Sequence, residues 1–259
     1  MRVAPHDALR LLLLASIGLG ANINSAYADH LFQKTWEVRS YVYFTASPEA
    51  VAKLLPAKWQ SAPIPMGPFK GANVALTFYD QLLTEDAVGQ PIAATGRGVV
   101  LFVPARDPAS GAFGSMIVGG FASQPGNVPG PYSVYSAATI NMSRSYRTDD
   151  AGPTYVNEAW EVVASGDKLR LQVKYDRSPT VPMHVEPRNY SAARPDFYRV
   201  YKVDQLTKVV RSTATEDEKA DRIEFSASGP HLSAIFDGSE HLVGVASVPV
   251  YQREIWLPE

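Results

Sequence analysis

The sequence predicts an α+β fold that is mostly β, an antiparallel sheet with a few short helices, and three observations carry that prediction. Segments with apolar and polar residues in alternation recur along the 259-residue chain, separated by turns rich in glycine, proline, serine and asparagine. Helix signals are few, and the strand-helix alternation of a parallel α/β protein is missing. Residues 156–164 and 168–175 flank Ser165-Gly166-Asp167, with glycine available for a positive φ, and so read as a β-hairpin.

Each element follows from local chemistry. Residues 36–45 alternate and are rich in aromatic and β-branched side chains, a strand pattern. Ser47-Pro48 then sets a capping residue before a proline at the first helical position, and Val51, Leu54 and Leu55 follow at helical spacing, predicting a short helix that ends at Pro56. Three prolines and two glycines make residues 61–71 a loop, after which 73–83 resume a strand. Residues 98–103, ended by Pro104, and 113–121 are further strands, and 123–131 form an exposed loop. In the second strand of the hairpin Leu169, Leu171, Val173 and Tyr175 share one face, while Lys168, Arg170, Gln172 and Lys174 share the other, so one face is buried and one is wet. Residues 197–203, 208–213, 222–228 and 242–256 complete the set, the last interrupted at Pro249.

The N-terminus has Arg2 and Arg10, an apolar run over residues 11–21, and Ala26-Tyr27-Ala28 before Asp29. That is the pattern of a cleavable export signal over residues 1–28, and the run is about half the ~20 residues a membrane span needs. The expectation is a secreted or periplasmic protein whose residues 29–259 form one β domain, not inserted in a membrane after cleavage. With 24 basic and 26 acidic residues the net charge is −2, so the chain has no positive field to gather nucleic acid. It has no cysteine, which excludes disulfides, a thiolate nucleophile and a cysteine-ligated metal.

Motifs for a serine nucleophile elbow, a zinc helix, a phosphate-binding loop and a dinucleotide turn are absent from the sequence. His231, Asp237, Glu240 and His241 lie within eleven positions but share a glycine-containing loop without ligand periodicity, and read as surface. No metal and no cofactor is expected. Lys202 shares strand parity with Tyr198 and Val200, which would put its amine on an otherwise apolar face, a setting that depresses a lysine pKa; the plainer reading is a snorkelling side chain on a sheet edge. Arg144 and Arg147 are surface charges by default, although an arginine at a cavity mouth would bind a carboxylate bidentately. Tyr132, Tyr135, Tyr146 and Tyr155 read as core or rim residues.

Several stretches, in order, resemble the acetoacetate decarboxylase superfamily. YFTASPEAVAKLLP at 43–56 is similar to that family's strand followed by a helix ending in proline. Residues 139–162 and 166–173 resemble its G-R-E-like turn, aromatic-P-K-K strand and G-D-x-hydrophobic hairpin, and 195–203 and 246–250 resemble two later strands. The resemblance implies a sheet curled into a cone or barrel around a central cavity, and a homo-oligomer. It also implies a lysine whose depressed pKa lets its amine form a Schiff base with a keto acid. Here the aromatic-P-K-K strand reads Tyr155-Val156-Asn157-Glu158-Ala159-Trp160, so the lysine position holds Asn157 and the next holds Glu158. An amide nitrogen is delocalised and cannot attack a ketone. Arg144 approximately matches the arginine of the turn, and the expected carboxylate of an earlier strand falls near Gly98 and is unmatched.

The resulting expectation is an exported protein whose cavity takes a small carboxylic or carbonyl compound without Schiff-base decarboxylation. Arg144, Arg147, Tyr155, Asn157 and Trp160 are the expected ligand contacts. The alternatives are a carbon-carbon lyase that uses Lys202, with Glu158 as the second candidate catalytic group, and a structural protein with a filled barrel.

Overall fold

The computed structural model describes residues 29–92, 95–148, 150 and 152–258, so the expected export signal lies outside the described residues. In chain order the elements are β1 (His30–Thr45), the helix α1 (Pro48–Ala52), β2 (Gln60–Ser61), β3 (Val74–Asp86), β4 (Gly96–Arg106), β5 (Phe113–Ala122), β6 (Tyr135–Ala137) and β7 (Thr139–Thr148). There follow β8 (Thr154–Ala164), β9 (Asp167–Asp176), β10 (Val181–Val185), β11 (Arg188–Ser191), β12 (Tyr198–Ser212), β13 (Asp217–Glu218), β14 (Ala220–Ser228) and β15 (His241–Leu257). The fold is mostly β, as the alternation predicts.

Seven strands close a barrel. They run in the order β4-β3-β1-β15-β12-β11-β5, and pairing of β5 back onto β4 completes the ring. Closure removes the exposed edges of an open sheet. A separate four-stranded antiparallel sheet, β14-β9-β8-β7, lies against the outside. Its inner face sets Val156, Trp160, Val162, Leu169, Leu171, Val173 and Tyr175 against Val42, Phe44, Leu76, Phe78 and Val99 of the barrel wall. Trp160 meets Phe78 with ring centroids 5.6 Å apart, and Phe44 meets Phe225 at 4.7 Å. Burying each of these large apolar side chains contributes about 1.5–3 kcal/mol.

Strand β1 is central and buried on both faces, which explains its double pattern. Ser40, Val42 and Phe44 face the four-stranded sheet, whereas Thr35, Glu37, Arg39, Tyr41 and Tyr43 face into the barrel. The β8–β9 hairpin closes on Ser165 (φ 42°) and Gly166 (φ 93°), so Asp167 is already the first residue of β9.

Several boundaries differ from the sequence expectation. Ser47 caps α1 through a bond accepted from the Ala50 amide, but the helix stops at Ala52, short of Pro56. Pro104 does not end β4, because that strand continues to Arg106 with the Pro104 carbonyl accepting from the Ala62 amide, a bond that needs no proline N–H. The two segments expected between 197 and 213 are one strand, β12, with register shifts after Leu206 and Val209. At Pro249 the chain bulges instead of breaking: β1 pairs Glu37 with Tyr251 but Arg39 with Val248. That extra residue turns Val248, Tyr251 and Arg253 toward the interior, beside Glu37.

Candidate functional site

Glu158 and the expected ligand contacts divide between opposite faces of the four-stranded sheet. Glu158 and Trp160 point inward and are buried. Glu158 accepts from Arg144 Nε at 2.9 Å and Nη2 at 2.6 Å, from Ser40 Oγ at 2.7 Å, and from the Trp160 indole N–H. Arg144 lies on strand β7 and not in a turn, and its guanidinium is mostly covered. Tyr175 bonds Ser247 beside this cluster at 2.7 Å, and burial pushes its phenol up to about 12. One carboxylate meets one guanidinium and two neutral donors here, so the arrangement is self-satisfied and ties the four-stranded sheet to β1.

Asn157, Tyr155 and Arg147 face the other way. With Ser145, Gln172, Lys174, Asp221 and Arg222 they line an open cleft of about 520 Å³ on the outer face of the four-stranded sheet, where Lys174 pairs with Asp221 at 2.7 Å. Lys202 stands on the outside of the barrel with its ammonium 3.9 Å from the centre of the Trp256 ring, in solvent and not on a dry face. Its strand parity is shared with Val200, but the interior phase of β12 belongs to Tyr201 and Val203. Lys208 is the one buried residue of the nine lysines. It lies on the outer side of the wall, bonded to Asp176 and Ser178, and burial holds its ammonium below the usual lysine range despite Asp176. Among the described residues no group of three metal-ligand side chains comes together, and His231 of the expected surface loop bonds Asp167 at 2.7 Å.

Inside the barrel the structure gathers a second ionic cluster. Glu37 is fully buried and accepts from Arg39 Nε at 2.7 Å, Arg253 Nη2 at 3.0 Å and Thr35 Oγ1 at 3.0 Å. Arg253 also donates to Thr35 Oγ1 at 2.9 Å, and Arg39 to the Tyr41 hydroxyl at 3.0 Å. Both guanidiniums are stacked on rings, Arg39 over Tyr251 at 3.5 Å and Arg253 over Tyr201 at 4.4 Å. Burial alone would raise the Glu37 carboxyl, but Arg253, Arg39 and the bonds from Arg39 and Thr35 outweigh it and hold the carboxyl below its ordinary value.

Tyrosines from opposite walls meet above this cluster. Tyr79 of β3, Tyr132 and Tyr135 beside β5, Tyr201 of β12 and Tyr251 of β15 are all buried, and the hydroxyls of Tyr132 and Tyr201 are bonded to each other. The wall is cut back to admit them. A Cβ on Gly98 would lie 2.3 Å from the Tyr79 ring, and one on Gly120 would lie 2.7 Å from Tyr135. Burial pushes Tyr79 up to about 12 and Tyr132, Tyr135 and Tyr251 upward, so these four phenols stay neutral donors near neutral pH. The interior thus holds two guanidiniums on one carboxylate in a nest of neutral hydroxyls. The drawn bonds use three of the five N–H donors of Arg39 and two of the five of Arg253.

No protein-family model matches the sequence, and no curated protein matches it either. Solved structures do. An acetoacetate decarboxylase-like enzyme from Sphingomonas wittichii RW1 superposes with a TM-score of 0.54 over 88% of this chain and 92% of its own, at 14% identity. The fold is that of the acetoacetate decarboxylase-like enzymes. The enduracididine biosynthesis enzyme MppR, solved with the condensation product of pyruvate and imidazole 4-carboxaldehyde, shares it with a TM-score of 0.52 at 14% identity, over 95% of this chain and 97% of its own. On this acetoacetate decarboxylase-like barrel the Glu37, Arg39 and Arg253 constellation was missed by the sequence reading. The overlooked signal is the period-two run Thr35, Glu37, Arg39, Tyr41, Tyr43 on a strand whose other face is apolar.

Proposed function

We propose that this chain binds a small carboxylic or carbonyl compound inside the barrel, outside the cytoplasm, and forms no imine with it. The observation that carries the reading is one buried carboxylate shared by two buried guanidiniums. Arginine does not deprotonate in a protein, so the positive charge beyond what Glu37 neutralises calls for an anion, and a carboxylate fits the planar donor fork. Neutral phenols around it supply donors for a carbonyl or hydroxyl oxygen. The ligand of the MppR structure, derived from pyruvate, gives the fold a precedent for small carbonyl compounds.

The absence of imine chemistry rests on where the amines lie. Lys202 is in solvent and Lys208 is held by Asp176 and Ser178 on the far side of the wall, so neither supports the lyase reading. Asn157 faces outward and offers no amine. The test pairs two measurements. Borohydride reduction with acetoacetate or pyruvate should leave the intact mass unchanged apart from exposed-lysine background. Saturating short carboxylates, but not the matching amides, should raise the melting temperature by about 5–10 °C, since a ligand at 100 times its Kd contributes about 2.7 kcal/mol. An adduct mapped to a single lysine, or equal melting with acid and amide, overturns the proposal.

A further inference from the structure

Resting on that reading, we infer that the ligand is a dianion, a dicarboxylate or keto dicarboxylate, whose second carboxylate is met by Arg199. Arg199 lies on β12 two residues before Tyr201, in the same strand phase, and so projects toward the barrel interior. Its guanidinium sits over the rings of Phe32 at 5.3 Å, Tyr132 at 5.9 Å and Phe197 at 5.9 Å. Among the described residues no carboxylate or carbonyl accepts from it, and its Nε is buried without a partner. Stacking on rings satisfies the face of a guanidinium and leaves its edge donors, which lie in the plane, for an oxyanion.

The relation to the ionic cluster sets the ligand class. Arg253 stacks on Tyr201, Tyr201 bonds Tyr132 through their hydroxyls, and Arg199 stacks on Tyr132. The tyrosine pair therefore separates two guanidinium groups, with Arg39 beside the inner one. Three guanidiniums face one carboxylate, an excess of two positive charges. A molecule with an acid at each end places one carboxylate on Arg39 and Arg253 and the other on Arg199, with its carbon chain along the two phenol rings. A monocarboxylate leaves Arg199 unmet.

Calorimetric titration with three pairs of equal carbon count tests this: butyrate and succinate, pentanoate and glutarate, hexanoate and adipate. At one length or more the dicarboxylate should bind about tenfold tighter than its partner, the gain of one charge-assisted contact. Arg199→Gln should bring the dicarboxylate down to the affinity of the monocarboxylate, and Arg199→Lys should keep part of the preference. Ratios below twofold at all three lengths overturn the inference, and that comparison stands even where Arg199→Gln does not fold. An undiminished preference in Arg199→Gln overturns it as well. In both results monocarboxylate binding still upholds the proposed function, whereas binding of neither class removes the function and the inference together.

Discussion

Glu37→Gln exposes the charge arrangement inside the barrel to a quantitative test. Glutamine keeps the shape and one acceptor oxygen, so Thr35 and one arginine retain a partner, but both guanidiniums lose the opposing charge. Removing one member of a buried ion pair costs about 3–5 kcal/mol, and the retained acceptor places this variant near the lower figure. For a domain of this size each kcal/mol moves the melting temperature by roughly 2–4 °C, giving a fall of about 6–12 °C at pH 7. The pH dependence gives an independent check. The Glu37 carboxyl is held below its ordinary value when folded, so the stability it supplies is complete above the unfolded value of about 4.3. That stability is lost as pH falls through the lower, folded value. The gap between wild type and Glu37→Gln, followed by circular dichroism melts from pH 7 to pH 3, should therefore be widest at neutral pH and close in acid. A gap below 1 °C at pH 7, or one that stays constant across the range, would refute the reasoning.

Other outcomes follow from the same geometry. Acetate should raise the melting temperature of Glu37→Gln more than that of wild type, by supplying the missing carboxylate; equal shifts would argue that the two guanidiniums are closed to anions. Glu158→Gln should cost about 3 kcal/mol in urea unfolding while the pair Arg144→Met with Glu158→Leu recovers most of it, because the lone buried guanidinium is then gone; a double variant as unstable as the single would contradict a structural role for the pair. Gly98→Ala should lose about 1–3 kcal/mol and weaken carboxylate binding, since its methyl would meet Tyr79 at 2.3 Å, and a fully stable variant would show that the ring has room to move. Asn157→Lys should yield no imine with acetoacetate beyond exposed-lysine background, as position 157 faces the outer cleft, and a mapped adduct there would reverse that placement.

The hairpin was the most legible part of the chain, because one face of its sheet is wet and the other dry. Leu169, Leu171, Val173 and Tyr175 are buried and their neighbours Lys168, Arg170 and Lys174 exposed, as period two dictates. The ionic cluster hid for the opposite reason. Glu37 and Arg39 look like a solvent face only while the interior is assumed apolar, and both faces of β1 are in fact buried. Arg253 is 216 positions from Glu37, and only the β1–β15 pairing with its bulge at Pro249 aligns them. The resemblance to one strand motif groups Asn157, Glu158 and Trp160 in a single site, but successive residues of a strand leave by opposite faces. Lys202 carries the same kind of phase ambiguity: Tyr198, Val200 and Lys202 do share a face, and it is the outer one, where the amine is exposed as a snorkelling side chain would be.

Diffraction from a crystal soaked in 3-bromopropionate, collected at the bromine edge, tests the anion site in the barrel most directly. The expected map has the bromine peak inside the barrel among Tyr79, Tyr201 and Tyr251, with the carboxylate on Arg39 and Arg253. Bromine found only at the outer cleft of Arg147, Tyr155 and Asn157, with the interior unchanged, would contradict it.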